Sequence, residues 1–318
     1  MIFTNDLPEA VHNHLSTNGT FFNTHCDDCG GLCCYADDST YTISGKNIDD
    51  IKNKIQEQYT NLSNYMADNK LVLNSEKTHI LTMASAARHK KHKDFGIFLD
   101  TGSEIIEPVQ SERLLGCMVS NDFQWNQHIR DGEKSMIKIL TSKVNALRKV
   151  GHYSSFKTRK MIAQGIIMSN LCYLVQLYGS SSEYLLSLLQ VLQNAAARSV
   201  TRLPWNTPTS TLLHQCGWLT VKQMVDFYSL VMLYKIKTKA KPTYLYEKVS
   251  KNFVYRTRLA TSGGIPECNL LSTQLAKDSF INRTVKLWNE MPAELRTIGT
   301  EVKYKKLLKI WIKSKPPD

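Results

Sequence analysis

The spacing of apolar residues changes once along this chain, near Trp125, and that change limits the folds open to it. Before Trp125 the apolar residues come in short runs bounded by turn formers, the pattern of brief strands. Leu32 to Ile43 reads as two strands hinged on Ala36-Asp37-Asp38, because β-branched and aromatic residues flank the acidic pair. One helix interrupts them: Ile48, Ile51, Ile55, Tyr59, Leu62, Tyr65 and Met66 form a single stripe, with Asn47 placed to cap it. Leu71–Leu73 and His79–Met83 then predict strands around Asn74–Lys77, and Gly96–Leu99 and Glu112–Val119 predict two more. The residues up to Cys29 are polar and predict loop. Beyond Trp125 the spacing becomes helical: Ile129–Val150, Phe156–Tyr178, Glu183–Arg202, Leu212–Lys239, Ser279–Glu290 and Val302–Lys313. The fold class expected is therefore α+β.

The chain has 318 residues, more than a single core usually holds, and 42% of them are hydrophobic, an ordinary globular proportion. Its charge is less ordinary. Forty Lys and Arg against 28 Asp and Glu leave a formal +12. Such an excess favours a polyanionic partner, because Lys and Arg displace the counterions condensed on phosphates. Nothing after Met1 resembles a signal peptide, and Gly165–Tyr178 is too short and too polar for a membrane span. Eight cysteines, half of them crowded into Cys26, Cys29, Cys33 and Cys34, fit no secreted disulfide framework. The expected setting is a reducing one, cytoplasm or nucleus, away from membranes.

Tyr35-Ala36-Asp37-Asp38 is the sharpest chemical signal. Two adjacent carboxylates at a hairpin tip place hard oxygen ligands where a divalent ion can sit. Two-metal nucleotidyl transfer uses that arrangement, since one ion activates the attacking hydroxyl and another holds the leaving group. The plainer reading of an isolated Asp pair is a solvated turn.

The neighbours bear on that choice. Cys34-Tyr-Ala-Asp-Asp-Ser-Thr-Tyr41 resembles the catalytic hairpin of reverse transcriptases, their third palm motif. After the helix, Asn69-Lys-Leu-Val-Leu-Asn-Ser-Glu-Lys-Thr78 is similar to the palm motif that follows, and Glu112-Arg-Leu-Leu-Gly116 to the primer grip, with Trp125 and His128-Ile129 at the start of a thumb. Ile2 to Pro8 resembles the tail of the motif that opens with Gln-Gly in the family. Leu189–Leu203, Trp218–Val221 and Ser279–Pro292 resemble the helical region of jockey-like non-LTR retrotransposon enzymes.

The resemblance implies an incomplete polymerase palm over residues 1–124, a helical thumb over 125–204 and a basic helical region over 205–318. It implies Asp37 and Asp38 as Mg²⁺ ligands, Tyr35 beside the primer terminus and Lys77 as proton donor to pyrophosphate. Leu115 and Gly116 would form the primer-grip turn, and RNA template and DNA primer would be the partners. Lys134, Lys138, Lys143, Arg148 and Lys149 are the candidate nucleic-acid contacts on the first helix of the thumb. The same resemblance names what is lacking. The third metal-binding carboxylate belongs on a strand upstream of the hairpin, and only 36 residues precede Asp37. The expectation is that this 318-residue chain does not polymerise by itself.

Two other readings stand beside it. A non-catalytic RNA- or DNA-binding protein would use the basic stretches Lys134–Arg159 and Lys235–Arg258, with Tyr153, Phe156, Tyr244, Tyr246, Phe253 and Tyr255 as base-stacking candidates. His25-Cys26-x-x-Cys29-x-x-x-Cys33-Cys34 has the pair spacing of a zinc knuckle. Cys33 and Cys34 alternate on a strand, though, and no second ligand pair is evident, so zinc at Cys26, Cys29 and Cys33 is not expected.

Overall fold

The computed structural model describes residues 23–26, 30–35, 38–45, 47–84, 96–102, 104–250, 263–265 and 274–315. The chain divides into two units, Met1–Gln124 and Trp125–Asp318. Together they make a mixed α+β protein: among the described residues all the sheets are small, antiparallel and in the first unit, while helices build the second.

In the first unit, β1 (Asn23–Cys26), β2 (Gly30–Tyr35) and β3 (Asp38–Thr42) pair in sequence order. The polarity of this region predicts loop up to Cys29, yet Asn23–Cys26 is an edge strand. It pairs His25 with Gly31 and Cys26 with Gly30, so main-chain hydrogen bonds join it to a glycine-bearing partner. Asn47 caps α1 (Ile48–Asp68) as its side chain accepts from Asp50 N at 2.8 Å, with Asp49 and Asp50 in the positive first turn.

The strands expected at 71–73 and 79–83 do not form. Apart from a single bridge between Ile80 and Pro108 these residues are unladdered, and Val72 stands 93% exposed. An apolar run becomes a strand only where a partner edge reaches it. Two further hairpins follow, β4 (Leu99–Asp100) with β5 (Ile105–Ile106), and β6 (Ser111–Leu114) with β7 (Cys117–Ser120).

The second unit opens with a π-type turn at Gln127–Asp131, so the helix expected from Ile129 starts instead at Met136. Then come α2 (Met136–Gly151), α3 (Phe156–Ala163), α4 (Glu183–Thr201), α5 (Thr209–Cys216), α6 (Val221–Lys239), α7 (Thr243–Ser250), α8 (Phe280–Glu290) and α9 (Glu301–Ser314). Two expected helices are broken. Phe156–Tyr178 passes through a π segment at Gln164–Met168 and is interrupted after Cys172, where Leu174 takes φ 54°, before a last helical turn at Val175–Tyr178. The run from Leu212 to Lys239 is cut at Gly217 (φ 69°), a left-handed cap that β-carbons disfavour, and α6 restarts on a Thr220–Gln223 capping box.

One apolar core extends from Ile129 to Ile312, with Leu189, Trp288 and Tyr304 fully enclosed. The boundary expected after residue 204 falls inside this core and inside one unit. Buried polar groups tie the core together. Gln193 Nε2 donates to Leu219 O at 2.8 Å, Trp288 Nε1 to Gly263 O at 2.9 Å, and the Tyr234 and Tyr304 rings stack at 4.2 Å. Among the described residues no helix is long and apolar enough to cross a membrane.

Candidate nucleic-acid interface

Strands β2 and β3 pair antiparallel, and Asp38, expected in the hinge, is instead the first residue of β3. Tyr35 pairs with Asp38, leaving the two residues Ala36 and Asp37 as the connection. Asp37 lies outside the described residues. Asp38 is exposed at the first position of β3, and Tyr35 is 67% exposed on the facing strand. Lys77 ends a short turn capped by Asn74, whose side chain accepts from Lys77 N at 3.2 Å, and the lysine side chain is exposed. Leu115 and Gly116 are the two central residues of the β6–β7 hairpin, with φ 47° and 82°. That is the mirror-image turn that suits strand twist, although a leucine there is strained.

A two-metal cage needs more than this hairpin. Among the described residues no cluster of three or more His, Cys, Asp or Glu could hold a metal. Asp38 is thus not joined by two further ligand side chains among the described residues. Of the zinc candidates, Cys26 is on β1, Cys33 is exposed on β2, and Cys29 lies outside the described residues.

On α2, Leu140, Val144 and Leu147 form the buried stripe. At roughly 100° per residue, Lys138 and Lys149 fall together on the opposite side, with Asn145 between them. Lys143 and Arg148 sit on opposite flanks, so the five cations do not make one stripe. Arg148 Nη1 donates to Asn145 Oδ1 at 3.2 Å. Lys134 precedes the helix and is exposed. The nearby Asp131 carboxylate is already engaged by Arg130 at 2.6 Å, and that pairing holds it below the usual carboxylate range.

The α2–α3 turn is pinned by two arginines. Arg159, 5% exposed, donates from Nε to Val200 O at 2.8 Å and from Nη1 to Ser154 O. Arg202 Nη2 donates to Gly151 O at 2.6 Å and to His152 O at 2.9 Å. Each guanidinium thus satisfies carbonyls that a helix end leaves open. Burial first, then the Arg202 charge, pulls the Arg159 pKa down. Arg159, an end point of the expected basic surface, is thus an internal strut.

A second group of amines gathers at the end of α5. Lys309 Nζ donates to Gly217 O at 3.2 Å, and Lys160 Nζ stands 3.8 Å from where a β-carbon on Gly217 would lie. Burial, Lys313 and Lys160 together lower the Lys309 pKa. Residues this far apart in sequence give no local signal of meeting.

The formal +12 conceals a division that a count along the sequence could have found. Met1–Gln124 holds 10 Lys and Arg against 17 Asp and Glu, net −7, whereas Trp125–Asp318 holds 30 against 11, net +19. Within the second unit, Lys134–Val225 carries 11 Lys and Arg and one acid, Glu183. The polyanion-attracting charge therefore belongs to the helical unit. No family model, no curated protein and no solved structure matches the chain.

Proposed function

We propose that this chain is the hairpin-bearing palm end and helical C-terminal part of a non-LTR retrotransposon reverse transcriptase. Its own contribution is to hold nucleic acid on the helical unit without nucleotidyl transfer. The observation that carries this reading is the antiparallel pairing of Tyr35 with Asp38, which closes β2 and β3 on either side of Ala36-Asp37 in the sequence. Its support comes from sequence order: the capped helix α1, the Asn74–Lys77 turn and the Leu115–Gly116 turn follow in the succession that the resemblance implies. Asp37 and Asp38 would be the Mg²⁺ ligands, Tyr35, Leu115 and Gly116 would lie along the primer, and Lys77 would face the leaving group. With no three-ligand cluster among the described residues, no catalytic step is assigned to this chain.

The test is primer extension on an RNA template with Mg²⁺, run beside a binding titration. The expected result is RNA binding that weakens with salt and no synthesis. Template-dependent synthesis by the purified chain would overturn the assigned inactivity, and loss of all salt-dependent binding would overturn the whole reading.

A second reading, a non-catalytic RNA- or DNA-binding protein, is favoured by the single acid among the charged residues of Lys134–Val225. The two part at the hairpin. Mn²⁺ binding followed by electron paramagnetic resonance should fall in Asp37→Ala and Asp38→Ala if the hairpin descends from a metal site. It should not respond to either substitution if the hairpin is a solvated turn.

A further inference from the structure

The two most exposed aromatic side chains among the described residues are Tyr153 at 97% and Trp205 at 85%. They lie 52 positions apart in sequence, yet each sits on a tight turn, and the first turn is bound to the end of α4 that leads into the second. Tyr153 follows α2, where Ser154 N donates to Gly151 O at 3.3 Å. Trp205 follows α4, where Thr207 N closes onto Pro204 O at 3.1 Å. Arg202, three residues before Trp205, donates to Gly151 O and His152 O, and Arg159 joins Ser154 O to Val200 O.

Rings exposed to this degree on mobile loops would be ordinary surface residues. Here two guanidinium groups, one of them buried, tie the turn under Tyr153 to the end of α4 from which the Trp205 turn departs, so both turns start from a fixed base. Preorganisation reduces the entropy cost of binding.

The surroundings select the ligand. Lys149, Lys157 and Arg202 are exposed beside these turns in sequence. The nearest acid within Lys134–Val225 is Glu183, at the far end of α4, roughly 27 Å from Thr201 for a helix of 19 residues. Flat rings on a stretch of chain that carries 11 Lys and Arg and one acid fit stacked bases on a phosphodiester backbone; an acidic peptide would gain nothing from the rings.

We propose that Tyr153 and Trp205 form a two-ring platform on which bases of single-stranded nucleic acid stack, with Lys149, Lys157 and Arg202 meeting the backbone. This rests on the nucleic-acid-holding part of the function proposed above and adds where the strand lies and why it must be single.

Trp205 provides the readout. Of the five tryptophans, Trp218 and Trp288 are buried and Trp125 and Trp311 half-buried, so quenching by a stacked base reports mainly on Trp205. The probe is an oligouridylate of about a dozen nucleotides, with a duplex RNA of equal length as comparison. The expected result is quenching on oligouridylate addition that disappears in Trp205→Ala. Affinity should fall about 5- to 100-fold in Trp205→Ala and in Tyr153→Ala, with rescue by Trp205→Tyr and an unchanged salt slope. Both side chains are exposed, and unchanged far-ultraviolet circular dichroism would verify folding of the variants. Wild-type-like, salt-dependent binding by both alanine variants, or binding without quenching, overturns the platform and leaves the functional reading standing. A wild-type chain that binds no oligonucleotide overturns both.

Discussion

Arg159→Met removes the strut between the α2–α3 turn and the end of α4 while keeping nearly the same side-chain length. Val200 O sits on a residue with no exposed surface, so losing the Nε donor at 2.8 Å leaves a buried carbonyl unsatisfied, a cost of about 2 kcal/mol. Ser154 is half-buried, and water can partly replace Nη1 there, so its carbonyl adds about 1 kcal/mol. Against this, burial and the neighbouring Arg202 charge both depress the Arg159 pKa, so removing the cation offsets part of that cost. The net destabilisation is about 2 kcal/mol, or a fall of about 4–8 °C in Tm for a unit of this size. Urea unfolding followed at far-ultraviolet wavelengths reads the helical unit predominantly. The midpoint should drop while the slope with denaturant stays constant. Arg159→Lys should not restore stability, since one ammonium cannot span two carbonyls as a guanidinium does. A methionine variant within about 0.5 kcal/mol of wild type would refute the reasoning, because surface substitutions commonly cost no more than that.

Other consequences are equally direct. Burial pushes the Cys117 and Cys216 thiols up to about 11, whereas Cys33 is exposed, so peptide-resolved iodoacetamide labelling near neutral pH should modify Cys33 first. Equal rates at all three in folded protein would contradict that burial. Asp226 is half-buried, and desolvation raises its pKa against the pull of Lys315, Arg283 and Lys222. A raised carboxyl pKa means the folded state holds its proton more tightly than the unfolded state. Its contribution to stability is therefore present at low pH and lost as pH climbs through the folded value. Asp226→Asn should flatten that decline in urea midpoints, and an unchanged profile would dismiss the assignment. Lys138→Glu with Lys149→Glu should weaken oligouridylate binding and reduce its salt slope by about 0.7 for each phosphate no longer neutralised, at unchanged stability. An unaltered slope would remove the outer face of α2 from the interface.

What could be read from sequence depended on how local each cause was. The helix α1 and the long helix α4 each carry one apolar stripe and a side-chain cap, and both formed close to their expected limits. The break before α6 was also written locally, as Gly217 followed by Thr220 and Gln223, but the apolar spacing continues across it and favours one long helix. Residues 71–73 and 79–83 went the other way, since extended runs reveal nothing about whether a partner edge lies alongside. The turn at Leu115–Gly116 has no Asn-Gly or Asp-Gly signature; its conformation is imposed by the Leu114–Cys117 pairing. For the site, residue type alone could not separate Lys149 from Arg159. One faces water and the other is a strut whose partner lies 41 residues away. Nor could it tell that Lys143 and Arg148 leave the face that Lys138 and Lys149 share.

The opposed charges of the two units bear on how such a chain would engage nucleic acid. A unit of net −7, in which Asp38 is exposed at the start of β3, repels phosphates unless cations intervene. A unit of net +19 attracts them with none. Affinity and chemistry then have separate seats. In the proposed function the helical unit would capture a strand by counterion release, whereas the acidic unit would join only through intervening divalent ions. Under the proposed function, binding would fall to the helical unit, and the exposed rings of Tyr153 and Trp205 would be where a captured strand gains more than electrostatic hold.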